Sequence, residues 1–256
     1  MKSFLKVVGQ STLGLKLRNF MGYRPVILNL NYRKFGSVSI SDAFPWRTDN
    51  GYKTSFNYSD ILGLFYKIEN SFVEILFYSK DNRLIKKLTL TQLNYSNELI
   101  IDRDFLSGIE DYGVFYIFHR TDAQNTNNLT ISNRCYVGFS NEISMTSYVH
   151  GNGYVGYQSF DGLTRGFGMV LSSFFKKQYR IQNSFIDFNK SELFFVNPTS
   201  KKINFLVCEN KYFLDRGGSM IIDVSGKDNI SIVTKSHFLR PIVFNYRDIF
   251  FDVYHA

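Results

Sequence analysis

The chain has 256 residues, of which 44% are hydrophobic and 17% aromatic, and its formal net charge is +8. This length suffices for one large domain or two smaller ones, and no apolar run approaches the 18 or more residues of a membrane-spanning helix. The two cysteines do not suggest a disulfide framework or a metal site, so we expect buried free thiols. We therefore expect a cytoplasmic protein, with peripheral attachment to a membrane left open.

The positive charge is concentrated at the start of the chain. Residues 1–41 contain seven of the thirty cations and no acidic residue, which leaves 23 cations against 22 acidic groups in the remainder. We therefore expect a basic leader over residues 1–36 that rests on an anionic surface. The alternative is a leader whose cations simply face solvent. The seven cations are Lys2, Lys6, Lys16, Arg18, Arg24, Arg33 and Lys34.

A turn signal follows the leader and predicts a hairpin. The sequence Asp-Asn-Gly at residues 49–51 is typical of a tight turn between two strands. Carbohydrate sites surround an aromatic ring with hydrogen-bonding side chains, and this hairpin offers such a set: Trp46, Arg47, Asp49, Asn50 and Tyr52. In the alternative interpretation, Trp46 fills the end of a sandwich and Arg47 pairs with Asp49 to hold the turn.

Strand-like runs then recur about every ten residues, and turn formers separate them. Phe, Tyr, Ile, Val and Thr dominate the runs, whereas capped amphipathic helices are nearly absent. We predict an all-β protein built from two tandem antiparallel β-sandwiches, jelly-roll or immunoglobulin-like. A single larger sandwich or barrel is the alternative. The runs of the first half cover residues 61–68, 72–78, 83–90, 98–101 and 113–119.

Six glycines between residues 151 and 168 suggest the boundary between the two modules. Their spacing matches neither a dinucleotide fingerprint nor a phosphate-binding loop. We expect module 1 over residues 37–153, a glycine-rich linker and connecting segment over 154–182, and module 2 over 183–256.

The end of the chain resembles a stretch about a hundred residues earlier. Aligning Arg134 with Arg240 places Val137 on Val243, and one gap then places His150 on His255. Strand-like runs precede both stretches in a similar order. We therefore predict an internal repeat whose shared residues close each sandwich: Arg134, Val137, His150, Arg240, Val243 and His255.

The four histidines lie in or next to these closing stretches. Two per module could form a metal site with Glu142 or Asp248, although no histidine or cysteine pair has metal-ligand spacing. The weak metal candidates are His119, His150, His237 and His255. A second, smaller set of ligand-binding candidates comprises Tyr246, Arg247 and Asp248.

These features favour a non-enzymatic binding protein. We expect a glycan or a protein as its partner, an anionic surface bound through the leader, self-association into a homo-oligomer, and no cofactor. No motif for specific recognition of nucleic acid is present. The alternatives are a metal-dependent enzyme that uses the histidines and a structural or assembly protein.

Overall fold

The structure is a computed structural model that describes residues 8, 11–20, 36–122, 129–133, 135–170, 172–181, 187–236, 239–248 and 250–256. Most of the predicted leader lies outside these described residues, and so do Arg134 and His237. Within the leader, residues 12–20 form helix α1 (Thr12–Phe20). Most of the described chain is antiparallel β-sheet, so the prediction of an all-β protein is confirmed.

In the first half of the chain, the described residues after α1 form eleven strands and one short α-helix. They are β1 (Val38–Arg47), β2 (Lys53–Tyr58), α2 (Ile61–Tyr66), β3 (Ser71–Ser79), β4 (Leu84–Leu90), β5 (Asn97–Ile101), β6 (Tyr112–Thr121), β7 (Thr130–Asn133), β8 (Tyr136–Ser140), β9 (Ser147–His150), β10 (Asn152–Ser159) and β11 (Arg165–Phe167).

The second half continues with β12 to β19. These strands are β12 (Ser172–Ile181), β13 (Lys190–Val196), β14 (Ile203–Val207), β15 (Asn210–Leu214), β16 (Ser219–Asp223), β17 (Ile230–Ser236), β18 (Ile242–Arg247) and β19 (Phe250–His255).

The strands form four sheets. Sheet I has the order β11-β10-β1-β6-β3-β4, with β7 paired in parallel to β1, and sheet II has the order β5-β2-β8-β9. Sheet III has the order β16-β13-β18-β19, and sheet IV has the order β12-β17-β14-β15. Apart from β1 with β7, the paired strands are antiparallel.

Sheet III contributes to two hydrophobic cores. Successive side chains of a strand point to opposite faces of its sheet. On β13, Phe194 and Val196 pack into the core formed with sheets I and II, whereas Leu193 and Phe195 pack into the core formed with sheet IV. A sheet buried on both faces explains why residues 193–196 form an unbroken apolar run.

The segment predicted as a glycine-rich linker and connecting segment, residues 154–182, contains most of β10 and the whole of β11 and β12. Strand β10 pairs with β1, β11 pairs with β10, and β12 belongs to sheet IV. The Phe167 ring lies 4.6 Å from the ring of Tyr116 on sheet I. Glycine is needed here for close packing: a Cβ on Gly166 would lie 2.5 Å from the Tyr157 ring. Gly166 therefore permits the close packing of β11 against β10.

One predicted strand, residues 61–68, is also different in the structure, where residues 61–66 form helix α2. The Asp60 carboxylate accepts a hydrogen bond from the Gly63 backbone N–H at 2.9 Å and caps the helix. Lys67 then ends the helix in the left-handed conformation with φ of 58°. An apolar run of this length fits a strand or a helix equally well, and the cap selects the helix.

Both cysteines are free thiols, as the composition predicts. Cys135 is buried, and burial raises the pKa of its thiol to about 12. Cys208 is half-buried.

Gly113 of β6 lies where sheet I leaves no room for a side chain. A Cβ there would stand 2.1 Å from the Tyr78 carbonyl oxygen and 2.9 Å from Nε1 of Trp46. We expect Gly113→Ala to lower the free energy of unfolding by about 2–3 kcal/mol, because the strands must separate to admit the methyl group. Urea denaturation followed by circular dichroism measures this change. Gly153→Ala is the control, since its Cβ would meet nothing within 4 Å, and a loss of similar size there would contradict the packing argument.

Candidate functional site

The hairpin predicted to bind carbohydrate joins β1 to β2 through a 3-10 turn, Asp49–Gly51. Its tryptophan is not a surface platform: Trp46 is 0% exposed, and its Nε1–H donates to the Tyr78 carbonyl oxygen at 2.9 Å. Tyr52 is also buried. In this structure the two rings face the interior, where a sugar cannot stack on them. Of the two interpretations of this hairpin, the structural one describes the observed geometry.

Arg47 is the centre of the hairpin. Its side chain is 1% exposed, and it donates from Nε to Asp49 Oδ1 at 2.9 Å and from Nη2 to Asp49 Oδ2 at 2.6 Å. The same guanidinium donates from Nη1 to Glu192 Oε2 at 2.7 Å and to the Tyr246 hydroxyl at 3.0 Å. The Tyr246 hydroxyl donates in turn to Glu192 at 2.8 Å. We call these four residues the Arg47 network.

Two aromatic rings flank the guanidinium of this network. The Arg47 Cζ atom lies 4.6 Å from the centroid of the Tyr52 ring and 4.9 Å from that of Phe244. Arginine suits this position because its planar, weakly hydrated cation can stack on rings while its N–H groups bind carboxylates. The rings also exclude water from the buried charges.

The Arg47 network alters the titration of its members. Burial would raise the pKa of the Glu192 carboxyl, but Arg47 and hydrogen bonds from Lys190, Arg47 and Tyr246 outweigh burial and hold this pKa below its ordinary value. Burial raises the pKa of Tyr246, so this group is a neutral hydroxyl donor at physiological pH. The network is thus an ionised cluster joining β1 to β13 and β18.

The remaining candidates of the two predicted ligand sets are at the surface. The Asn50 amide donates to Asp49 at 2.9 Å, and its backbone has a φ of 53°. Arg247, the last residue of β18, and Asp248 after it are exposed, with Asp248 at a φ of 54°. Sequence reasoning placed Tyr246 in a set separate from Arg47, whereas the structure brings the two side chains together.

The histidines occupy three different environments. His119 is 0% exposed, its Nε2 lies 2.9 Å from the Ser59 carbonyl oxygen, and burial lowers its pKa. The His255 Nε2 lies 3.0 Å from the carbonyl oxygen of the exposed His150, and burial also lowers the pKa of His255. Within the described residues, no three His, Cys, Asp or Glu side chains form a group that could hold a metal ion.

Four of the six predicted repeat residues, Val137, His150, Val243 and His255, lie in strands at matching positions. Val137 and Val243 are both 0% exposed and are the second residues of β8 and β18. The residues directly before them are cross-strand partners of His150 in β9 and of His255 in β19. Arg240 is exposed, and its Nε donates to the Ala256 oxygen at 2.6 Å.

A different surface has the composition of a binding site, and sequence reasoning missed it. The four strands of sheet IV contain five cations and no acidic residue. Strand β12 contains three of them, and β15 and β17 contain one each, so the cations of the three strands converge only when the strands pair. The absence of Asp and Glu from these runs was the available signal. The five cations are Lys176, Lys177, Arg180, Lys211 and Lys235.

The outer face of sheet IV is turned away from the second core. Ile230 and Ile232 of β17 are buried in that core, so Val233 and Lys235 project from the opposite face. The face contains a groove of about 460 Å³, whose lining includes Lys176, Lys211 and Lys235 but no carboxylate. Cations concentrated in a concave surface attract anions and raise their local concentration.

The described part of the leader contacts sheet IV. Helix α1 packs near β12, the strand of sheet IV that contains three of the cations. Lys16 of α1 is exposed. Two basic segments that are separated in sequence are therefore neighbours in the fold.

A cleft of about 240 Å³ beside the 49–51 turn has the opposite charge. Its lining includes Asp102, Asp104, Glu110 and Glu142, together with Lys53 and Arg103. The Asp102 carboxylate accepts the Phe105 backbone N–H at 2.8 Å, so it caps a turn.

Comparison with known proteins gives no guide to function. No protein-family model matches the chain, and no match to a curated protein was found. The described helices are also too short and polar to span a lipid bilayer.

We expect Arg47→Met to lower the free energy of unfolding by about 3 kcal/mol, because it leaves the Glu192 carboxylate buried beside an apolar side chain. Glu192→Gln should cost about 1.5 kcal/mol, since Arg47 keeps Asp49. The double variant should lose less than the sum of the two single losses, as measured by denaturant unfolding. Arg103→Met is the control, because Arg103 pairs with Glu110 at the surface, 3.9 Å away. Additive losses would show that the Arg47–Glu192 contact is energetically unimportant.

The depressed pKa of Glu192 predicts a pH dependence with a definite sign. Its ionised form stabilises the fold above the ordinary glutamate pKa of about 4.3, and this contribution is lost as the pH falls through the folded-state pKa. We therefore expect the stability difference between the unsubstituted protein and Glu192→Gln to be largest near neutral pH and to disappear in acid. Denaturant midpoints across this pH range measure it, and a constant difference would contradict the assignment.

Proposed function

We propose that this chain is a non-enzymatic binding protein that attaches to an anionic polymer through the outer face of sheet IV. The observation that carries the proposal is the groove of about 460 Å³ lined by three lysines and by no carboxylate. The expected anionic partner of the leader is part of the same proposal, because α1 packs near β12.

An extended polymer fits this face better than a small anion. The three lysines come from different strands, β12, β15 and β17, and two of these strands are the first and last of the sheet. Neighbouring strands are about 4.8 Å apart, so the cations span roughly 15 Å across the sheet. A ligand that contacts all three lysines must therefore have negative charges repeated over roughly 15 Å.

The charge of this face is local. Sheet III, which packs against the other side of sheet IV, has a mixed charge: its strands contain Glu192, Asp223 and Asp252 together with Lys190 and Arg247. A polyanion is therefore attracted to one side of the protein, and charge screening should weaken the attraction strongly.

We also propose that the chain consists of two related sandwich modules, near residues 37–153 and 183–256, with β12 added to the second. The strand orders support this. Sheet I contains β1-β6-β3-β4 where sheet IV has β12-β17-β14-β15, and sheet II has β5-β2-β8-β9 where sheet III has β16-β13-β18-β19. We match β1 to β6, β8 and β9 in chain order with β12 to β19. With this matching, the strand order β1-β6-β3-β4 of sheet I corresponds to that of sheet IV, and the order of sheet II corresponds to that of sheet III.

The test of the function is a charge-neutralising variant of the groove. We expect the triple variant Lys176→Gln, Lys211→Gln and Lys235→Gln to bind heparin and oligothymidine at least about tenfold more weakly at low salt, because three charge contacts are removed. Fluorescence anisotropy with labelled polyanions measures the affinities.

The control has the same net charge but leaves sheet IV intact: Lys53→Gln, Arg83→Gln and Lys227→Gln, all at exposed positions. This control should bind almost as well as the unsubstituted chain. Equal losses in the two variants, or no binding of any polyanion by the unsubstituted chain, would refute the proposal.

A further inference from the structure

We infer that the polymer bound on sheet IV is a single-stranded nucleic acid, whose bases stack on exposed phenylalanine rings at the two sides of the groove. This inference rests on the proposed function, since it identifies the ligand class of the same face. The rings belong to Phe174 on β12, against which Phe175 packs, and to Phe213 on β15.

The three rings are exposed although they are large and apolar. Phe174 is 57% exposed, Phe175 is 54% exposed and Phe213 is 49% exposed. Scattered exposed apolar residues are ordinary on protein surfaces, but these rings occur on the two outer strands of the sheet with the greatest cationic excess. Phe174 and Phe175 also form an edge-to-face pair with centroids 5.2 Å apart.

Ammonium groups lie beside the Phe174 ring and beside the Phe213 ring. The Lys235 Nζ atom lies 5.6 Å from the centroid of the Phe174 ring. The Nζ atoms of Lys211 and Lys202 lie 5.0 Å and 5.9 Å from the centroid of Phe213. Such contacts are weak at exposed positions, so a base can take the ring face while the displaced ammonium turns to a phosphate.

This combination distinguishes a single strand from other polyanions. Proteins that bind single strands combine a positively charged groove with aromatic side chains on which bases stack. In a duplex the base faces are covered by their neighbours, so the rings would contribute nothing. A sulfated polysaccharide would use the lysines but offers no planar ring for stacking.

The face indicates binding without strong sequence preference. Between the rings of β12 and the ring of β15, the groove is lined by the apolar side chains Leu206 and Val233 and by Asn204, which can form hydrogen bonds. Stacking accepts every base, and phosphate contacts have no sequence information. The inference therefore agrees with the absence of a motif for specific recognition in the sequence.

The experiment compares ligands and ring variants of the full chain by fluorescence anisotropy. The probes are a labelled oligothymidine of roughly 20 nucleotides, a duplex of equal length, heparin, and vesicles containing phosphatidylserine. We expect the oligothymidine to bind more tightly than the duplex. We expect Phe174→Ala, Phe175→Ala and Phe213→Ala together to weaken oligothymidine binding at least about tenfold and to leave heparin binding unchanged.

Salt titration separates stacking from charge. The slope of log Kd against log salt should stay the same in the ring variant and fall by about 2 in the triple lysine variant, since each phosphate contact with a single strand contributes about 0.7. Phe65→Ala with Phe250→Ala is the control, because both are exposed phenylalanines outside sheet IV. The corresponding Phe→Leu variants keep the apolar volume and guard against misfolding, which circular dichroism checks.

The outcomes are distinguishable. Equal binding of oligothymidine and heparin, with the ring variants unaffected, would overturn this inference and leave the proposed function standing. Ring-dependent binding to vesicles alone would assign the face to a membrane surface and would also overturn it. If the unsubstituted chain binds none of the probes at low salt, the proposed function and the inference fail together.

Discussion

The contact between the Arg47 guanidinium and the Glu192 carboxylate holds together parts of the chain that are 145 residues apart. Buried charges are unfavourable unless they are compensated. Arg47 also pairs with Asp49, and Glu192 also pairs with Lys190, so the contact between Arg47 and Glu192 completes the compensation of both charges. The observed contacts of the guanidinium therefore require β13 and β18 to be docked against the hairpin.

Sheet III links the packing of the first half of the chain to the packing of sheet IV. Alternate residues of β13 belong to different cores, so a shift of this strand by one residue would exchange Phe194 with Phe195 and disturb both cores at once. Sheet IV packs against sheet III and is thereby held in a fixed relation to the first half. A binding face built on such a supported sheet is preorganised, because its side chains are presented by backbone that does not need to fold on contact with a ligand.

Local pattern was sufficient for much of the fold. Alternation and turn formers identified the runs that became β3, β4, β5 and β6. Residues 61–66 were misassigned because an apolar run is ambiguous between strand and helix, and the Asp60 cap was the overlooked signal. The Arg47–Glu192 contact and the convergence of lysines on sheet IV depend on strand pairing over long sequence distances, which no local pattern encodes. The sequence left two interpretations of Trp46 open, because tryptophan next to a turn occurs both at binding sites and in cores.

The contact between His150 and His255 affects the edge strands of sheets II and III. Strands β9 and β19 are the outermost strands of sheets II and III, and an outermost strand exposes backbone groups that can pair with another chain. Here the two strands lie side by side: the His150 carbonyl faces the His255 ring, and the Val253 backbone N–H donates to the Ser147 hydroxyl at 3.0 Å. Each strand occupies groups that a foreign strand would need. The two edge strands are thus protected against pairing with a strand of another molecule. If β9 and β19 separated, this protection would be lost and aggregation would be promoted.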